Sequence, residues 1–347
     1  MEDLVLQHGR DGLCEWAATN GRLDVLQWAR ENNCPWSLIV FLKASSNGHL
    51  NIIKWAHEND CPRYNEISLN AASRGHFDIV QWAYENGYPL IKTIPYAAGY
   101  GNLDMAKWAR SVGCDWDPNV CAAAARGGYF DILQWARDNG CLWDSETCTG
   151  AAHCRDLKIL QYARQNGCPW TIWTCAVAAL GGFLHILQWA HENGCPWHEA
   201  TCEFAAKHGH LDILKYARAN GCPWDGEVIF EAAKYGHLNV VQWAYENKCP
   251  IYLMDTCRIA AANNHYHVLQ WLCQHVSNHY DSPINHDEIM NLCLITKINH
   301  FNALIWLKEH FGYVYNERAE KIIASLTTDL LNVLEYQDLV KLIKLYI

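Results

Sequence analysis

One recurring aromatic position constrains what this chain can fold into. Trp28, Trp55, Trp82, Trp108, Trp135, Tyr162, Trp189, Tyr216, Trp243 and Trp271 stand 27, 27, 26, 27, 27, 27, 27, 27 and 28 residues apart. The surroundings repeat as well: GYFDILQWARDNGCLWD at 128–144, GFLHILQWAHENGCPWH at 182–198 and GHLDILKYARANGCPWD at 209–225. A sustained period between about 20 and 50 residues marks a repeat array. A degraded eleventh copy is expected around Trp306, where NHFNALIWLKEH follows an insertion near SNHYDSPINHDE.

Each unit reads as two short helices. In TCEFAAKHGH (201–210), Cys202, Ala205 and Ala206 form a small-residue face, and Gly209 ends the helix in a left-handed conformation. Asp144-Ser145, just ahead of Thr147, suits an N-cap. In LDILKYARAN, Leu211, Leu214, Tyr216 and Ala217 make the apolar face, while Lys215 and Arg218 are expected to point outward. Asn220-Gly221 stops this helix and Pro223 prevents its continuation; Asn139-Gly140, Asn166-Gly167 and Asn193-Gly194 repeat the stop. Two such helices cannot bury both faces alone, so each copy is the surface on which the next one packs.

The unit resembles the ankyrin repeat, in which a small-residue helix with Ala-Ala and Gly-His precedes an aliphatic helix. The matching residues are Ala71-Ala72 with Gly75-His76, Ala205-Ala206 with Gly209-His210, and Ala232-Ala233 with Gly236-His237. Two features depart from the family pattern. Thr-Cys, as at Thr147-Cys148, Thr174-Cys175 and Thr201-Cys202, replaces Thr-Pro-Leu-His. The period is also roughly six residues shorter than the family's usual 33, and the loss falls where ankyrins place a β-hairpin finger. The resemblance covers residues 11–275 and extends to 290–312, and it is closest to the Trp-rich ankyrins of protists and large DNA viruses. It implies an all-α, ankyrin-like α-solenoid of stacked helix-turn-helix repeats, with β-hairpin fingers reduced or absent and helical caps. The expected organisation is about ten repeats over 1–275, a degenerate repeat with an insertion over 276–315, and a C-terminal helical cap over 316–347. A leading helix in EDLVLQ is expected to cover the first repeat.

Bulk properties narrow the function. No apolar run approaches the roughly 20 residues that span a bilayer, and MEDLVLQHGRDGL lacks the pattern of a secretory signal. These features predict a soluble cytoplasmic protein, in host cytoplasm if the chain is viral. The net charge of −10 with 18 neutral histidines disfavours nucleic acid, whose phosphates require a basic face. The 17 cysteines form an odd-numbered set in a long chain, which favours reduced thiols.

The cysteines fall into two ladders in register with the repeat. Cys34, Cys61, Cys114, Cys141, Cys168, Cys195, Cys222 and Cys249 follow the second helix. Cys14, Cys121, Cys148, Cys175, Cys202 and Cys257 lie in the first. Close pairs such as Cys141 and Cys148 stand seven apart, and the sequence contains no Cys-x-x-Cys, so packing is favoured over zinc. Trp36, Trp116, Trp143, Trp170, Trp197 and Trp224 add a second aromatic ladder. Its regularity favours packing over a stacking platform or cation cage. His49, His76, His210 and His237 are expected to hydrogen-bond between neighbouring turns, as in the family. A residue repeated in register is a poor catalytic candidate, and GxSxG, a phosphate loop and HExxH are all missing from the sequence. No enzyme, cofactor or metal is therefore expected.

The informative residues are those that differ between copies. The resemblance places the two residues between Ala-Ala and Gly on a concave, partner-facing surface. Here they are Ser73-Arg74, Gly99-Tyr100, Arg126-Gly127, His153-Cys154, Leu180-Gly181, Lys207-His208 and Lys234-Tyr235. The candidate partner-binding stripe is Arg74, Tyr100, Arg126, His153, Lys207, His208, Lys234 and Tyr235, which includes no acid. Cations also suit helix C-termini without any partner. The expectation is a monomeric, non-catalytic scaffold or adaptor that binds another protein, one with an acidic segment, and neither a small-molecule substrate nor a membrane. A component that self-associates or binds a lattice protein is the alternative.

Overall fold

The computed structural model describes residues 2–276. The expected degenerate repeat around Trp306 and the expected cap at 316–347 lie outside the described residues. Among those residues the structure is helical and contains no strand. It begins with α1 (Glu2–Thr19) and α2 (Leu23–Glu31), then α3 (Ile39–Asn47) and α4 (Leu50–Glu58), α5 (Ile67–Ala72) and α6 (Phe77–Glu85). Next come α7 (Thr93–Gly99) and α8 (Leu103–Ser111), α9 (Asn119–Gly127) and α10 (Phe130–Asp138), α11 (Ser145–His153) and α12 (Leu157–Gln165). Then follow α13 (Ile172–Leu180) and α14 (Leu184–Glu192), α15 (Glu199–Lys207) and α16 (Leu211–Ala219). The last pairs are α17 (Glu227–Lys234) and α18 (Leu238–Glu246), α19 (Leu253–Ala262) and α20 (Tyr266–His275).

The chain divides into two compact units, Met1–Cys175 with Glu192–Cys195, and Ala176–His191 with Pro196–Ile347. In the first, α1, α3, α5, α7, α9 and α11 pack on one another in sequence, and each carries its own second helix on its flank. In the second, α15, α17 and α19 form the same kind of row, flanked by α16, α18 and α20. Each row is an ankyrin-like helical stack. The expected loss of the hairpin finger holds in both: residues 139–144 link α10 to α11 and residues 220–226 link α16 to α17, with no strand in either link.

The first helices can approach closely because their contact faces are small. Ala71-Ala72, Ala97-Ala98, Ala124-Ala125, Ala151-Ala152, Ala205-Ala206 and Ala232-Ala233 are all completely buried. At Gly150 the approach leaves no room for a side chain. A Cβ built there would stand 2.8 Å from the Ala122 carbonyl oxygen and 3.1 Å from the Arg126 nitrogen. The second helices supply the bulk: Ile132-Leu133 with Ala136, Ile159-Leu160 with Ala163, and Ile213-Leu214 with Ala217 are fully buried. Each such Ile or Leu contributes about 1.5–3 kcal/mol by leaving water. This corrects the sequence reading of α16. Ile213, not Leu211, leads the buried face, while Leu211 and Tyr216 sit half-buried at its edges.

Both helices of a unit end in the same way. Cys141 N–H donates to the Ala136 carbonyl at 2.9 Å and Gly140 N–H to the Arg137 carbonyl at 3.0 Å, the paired bonds of a Schellman stop. Gly140 has φ 85°, a conformation favouring glycine. The Asn139 side chain returns to the Trp135 carbonyl at 2.8 Å. At the helix starts, the Asp144 carboxylate accepts the Glu146 N–H at 3.0 Å, so the expected N-cap is present. The leading segment is helical, with a break at Gly9, and His8 stacks on Trp16 at 5.1 Å.

Replacing an interior helical Gly by Ala ordinarily gains about 1 kcal/mol. At Gly150 the carbonyl of α9 reverses the sign, so Gly150→Ala is expected to lower the thermal midpoint measured by circular dichroism. A rise in the midpoint would show that the α9–α11 contact is looser than described.

Candidate functional site

The histidine ladder ties one turn to the next. The His49 Nε2 lies 3.2 Å from the Thr19 carbonyl, His76 Nε2 3.3 Å from that of Ser46, and His237 Nε2 3.0 Å from that of Lys207. Each ring also lies on the glycine of the preceding unit. A Cβ at Gly21 would come within 2.8 Å of His49, at Gly48 within 2.7 Å of His76, and at Gly209 within 2.7 Å of His237. His210 covers Gly182 in the same way. His49, His76 and His237 donate to backbone, as expected, and all four rings are occupied by the stack.

The second aromatic ladder is occupied too, by partners that the sequence reading missed. The guanidinium of Arg30 lies 4.4 Å from the Trp36 ring centre, Arg110 4.7 Å from Trp116, Arg137 4.0 Å from Trp143, Arg164 4.0 Å from Trp170, and Arg218 4.2 Å from Trp224. The Arg30 Nη1 also donates to the Cys34 carbonyl at 2.6 Å, and Arg110, Arg137, Arg164 and Arg218 make the same bond to Cys114, Cys141, Cys168 and Cys222. Arg218, expected to point outward, is therefore folded back over Trp224. Where His191 takes the place of the Arg, its ring stacks on Trp197 at 3.6 Å. The tryptophans then meet the following unit edge-on, Trp36 on Trp55 at 5.6 Å, Trp116 on Trp135 at 5.4 Å and Trp224 on Trp243 at 5.8 Å. Tyr84 and Tyr245 replace the cation in units that lack the Trp six residues later, and each reaches the next unit's Trp directly, at 5.6 Å from Trp108 and Trp271. The sequence carried this signal as a strict pairing: Arg or His stands six residues before each Trp of the ladder.

An Arg–Trp pair at a partly exposed site is worth about 0.5–1 kcal/mol. A double-mutant cycle on Arg137→Ala and Trp143→Ala should return a coupling of that size in thermal unfolding. Additive effects would remove the clasp from the stabilising interactions.

Most of the thiols are poorly placed for chemistry; Cys141 differs, the Cys121 thiol beside it lowering its pKa. Cys121 is hydrogen-bonded to Cys141, Cys148 to Cys168, and Cys202 to Cys222. Sharing its proton with the partner sulfur, together with burial, pushes the pKa of Cys121, of Cys168 and of Cys202 upward. Burial raises Cys14 to about 11 and both Cys61 and Cys249 to about 12. Thiols in this range are not nucleophiles at neutral pH. Among the described residues no group of three or more His, Cys, Asp or Glu side chains could hold a metal ion.

The predicted stripe lies at the C-terminal ends of the first helices. In the first unit Arg74, Tyr100, Arg126 and His153 are exposed, Tyr100 by 57%. In the second, His208 and Tyr235 are exposed and Lys207 and Lys234 half-buried. Lys207 Nζ and Lys234 Nζ sit 5.5 Å and 5.4 Å from the Tyr235 ring centre, so these three form one cluster. Acids reach the stripe from elsewhere on the helices. Glu231 pairs with Lys234 at 3.1 Å, and Glu146 stands 3.7 Å from Arg126. The purely basic character read from the sequence is therefore tempered, because neighbouring helices and helical i,i+3 spacing bring carboxylates alongside. Exposed pairs of this kind contribute about 0–1 kcal/mol and exchange easily with a partner's charges.

His208 stands among other basic side chains at the exposed end of α15. Its ring is 6.2 Å from that of His210. Burial, then His210, Lys207 and His237, lower its pKa below the ordinary 6.5. The unfolded chain takes up a proton at this residue before the folded one does. Stability is therefore held above pH 6.5 and lost as pH falls toward the depressed value. Thermal midpoints should drop on acidification from about pH 7.5 to 5.5, and His208→Gln should drop less. An equal drop in both proteins would exclude His208 as the source.

With this geometry established, comparison with known proteins is informative. Residues 229–273, which span most of α17 and all of α18 and α19, match the family model for ankyrin repeats in many copies. The crystal structure of the human ASB11 ankyrin repeat domain is similar at 14% identity, covering 61% of this chain and 96% of that domain with a TM-score of 0.38. The chain matches no curated protein. The matched helices share their packing, stops and buried Ala pairs with the other helix pairs described in each compact unit. Residues 229–273 therefore resemble ankyrin repeats in sequence as well as in their helix pairs. Ankyrin repeats generally mediate protein–protein interaction, and the family is typically non-catalytic.

Proposed function

We propose that this protein is a non-catalytic scaffold or adaptor that captures another protein along the exposed ends of its first helices. The observation that carries this reading is a contrast within each unit. The Ala pair, the left-handed Gly and the following His are committed to the stack. The residues between them, Arg74, Tyr100, Arg126, His153, Lys207, His208, Lys234 and Tyr235, are at least partly exposed and differ from copy to copy. Aromatic and cationic side chains are favoured in binding hot spots. Their chemistry suits a partner presenting an acidic segment, whose carboxylates would take over the cations now shared with Glu146 and Glu231. The helices beneath are fixed by packing, so little ordering entropy is lost on binding. Buried free thiols favour work in a reducing compartment such as the cytoplasm. Among the described residues no helix is long and apolar enough to cross a membrane.

The test is affinity capture from the native cell with the whole chain as bait, followed by the same capture with Arg126→Glu, Lys207→Glu and Lys234→Glu combined. The partner recovered by the natural sequence should be lost from the variant, with helix content unchanged. Equal recovery by both would remove the stripe as the binding surface.

A further inference from the structure

The second unit contains a feature that stacking does not explain. In four of the repeats the residue three after the ladder cysteine is a short acceptor that caps the next first helix, whereas Tyr64 and His198 hold that place without a cap. Ser37 accepts the Ile39 N–H, Asp117 that of Asn119, Asp144 that of Glu146 and Asp225 that of Glu227. At the same place before α19 stands Tyr252, which makes no side-chain cap bond and is 48% exposed. Giving up such a cap costs about 1 kcal/mol. One extra residue follows as well, since Cys249 and Cys257 are eight apart while Cys222's predecessors, Cys195 and Cys202, are seven apart. The fold makes room for the ring at Gly226, where a Cβ would come within 2.6 Å of it.

The result is a groove of about 440 Å³ between α17 and α19, lined by Phe230, Tyr252 and Ile259 with Glu227, Asp255 and Arg258. Its charges are unequally balanced. Asp255 is paired with Arg258 at 2.7 Å, and nearby Lys234 is paired with Glu231 at 3.1 Å. Among the described residues, Glu227 and its neighbour Glu203 on α15 take part in no ion pair. The local field is negative: after burial itself, Asp225, Glu227 and Glu199 push the Glu203 carboxyl above its ordinary pKa. An apolar slot beside uncompensated carboxylates suits a cation carried on an aliphatic or aromatic backing.

We propose that the α17–α19 groove docks a protein segment in which Lys or Arg is flanked by apolar side chains, with Tyr252 and Phe230 holding the apolar part and Glu227 the cation. This rests on the array being a protein binder and is independent of the acidic partner assigned to the stripe, so either can fail alone.

The probe is a random dodecapeptide library displayed on phage, panned against the whole chain at low salt. Enriched sequences should combine Lys or Arg with adjacent apolar residues. A synthetic peptide of the enriched sequence should lose affinity about tenfold or more for Glu227→Lys and for Tyr252→Asp by fluorescence anisotropy. Tyr252→Asp restores the acceptor that four sibling repeats carry, so its thermal midpoint should be unchanged or higher, which separates lost binding from lost folding. Enrichment of acidic sequences overturns the proposal, as does binding that survives both substitutions. So does the absence of enrichment, the result expected if a second copy or the chain beyond α20 fills the groove. Retention of the native partner by the stripe variant would leave this result untouched.

Discussion

Neighbouring first helices meet through pairs of alanines, and at Gly150 a carbonyl of the preceding helix occupies the place where a methyl group would go. Dispersion contacts fall off steeply with distance, so the stack depends on this close approach. It also dictates much of the rest. A helix with so small a face buries little area, and the Ile-Leu pairs of the second helix must supply what is missing. The second helix therefore has to return at once, which is why both helices of a unit end in Schellman stops rather than in longer connections.

Two further devices act between units. The histidine of Gly48-His49, Gly75-His76 and Gly236-His237 reaches back to the previous turn, and the missing side chain of the preceding unit's glycine is the surface on which such rings lie. The Arg–Trp clasp acts on the other side of the helix pair: the cation holds the Trp face and the Trp edge meets the next unit. Where Tyr84 or Tyr245 replaces the cation, the same contact is made by a different residue. The packing need is thus held constant while the side chains that meet it vary, as expected of a stack in which each unit answers only to its neighbours.

That economy separates the occupied residues from the available ones. Cysteines, tryptophans and Gly-His histidines look like functional groups in the sequence, yet their sulfurs are buried, their ring faces covered and their nitrogens bonded to backbone. The residues left over, from Arg74 to Tyr235, are few and differ between copies. Much of this was legible in advance, because a residue repeated at the structural period answers a structural need. The Arg–Trp clasp was legible as well, in the six-residue spacing of Arg137 from Trp143 and its counterparts, although no rule of helical amphipathicity points to it. The clasp spans a helix end and a turn, outside the regular periodicity.

The sequence by itself determined the helix pair, its stops, the number of copies up to Trp271 and the small-residue face on which they stack, because these depend on spacings within about 30 residues. Only the tertiary structure decided which charges meet. Glu146 reaches Arg126 from the next first helix, and Glu203 feels Asp225 and Glu227 from the next unit. It also decided that Tyr252 lies down over Gly226 and opens a groove. These relations join residues of successive copies, and the distance between copies is set by packing, which no single unit's sequence contains.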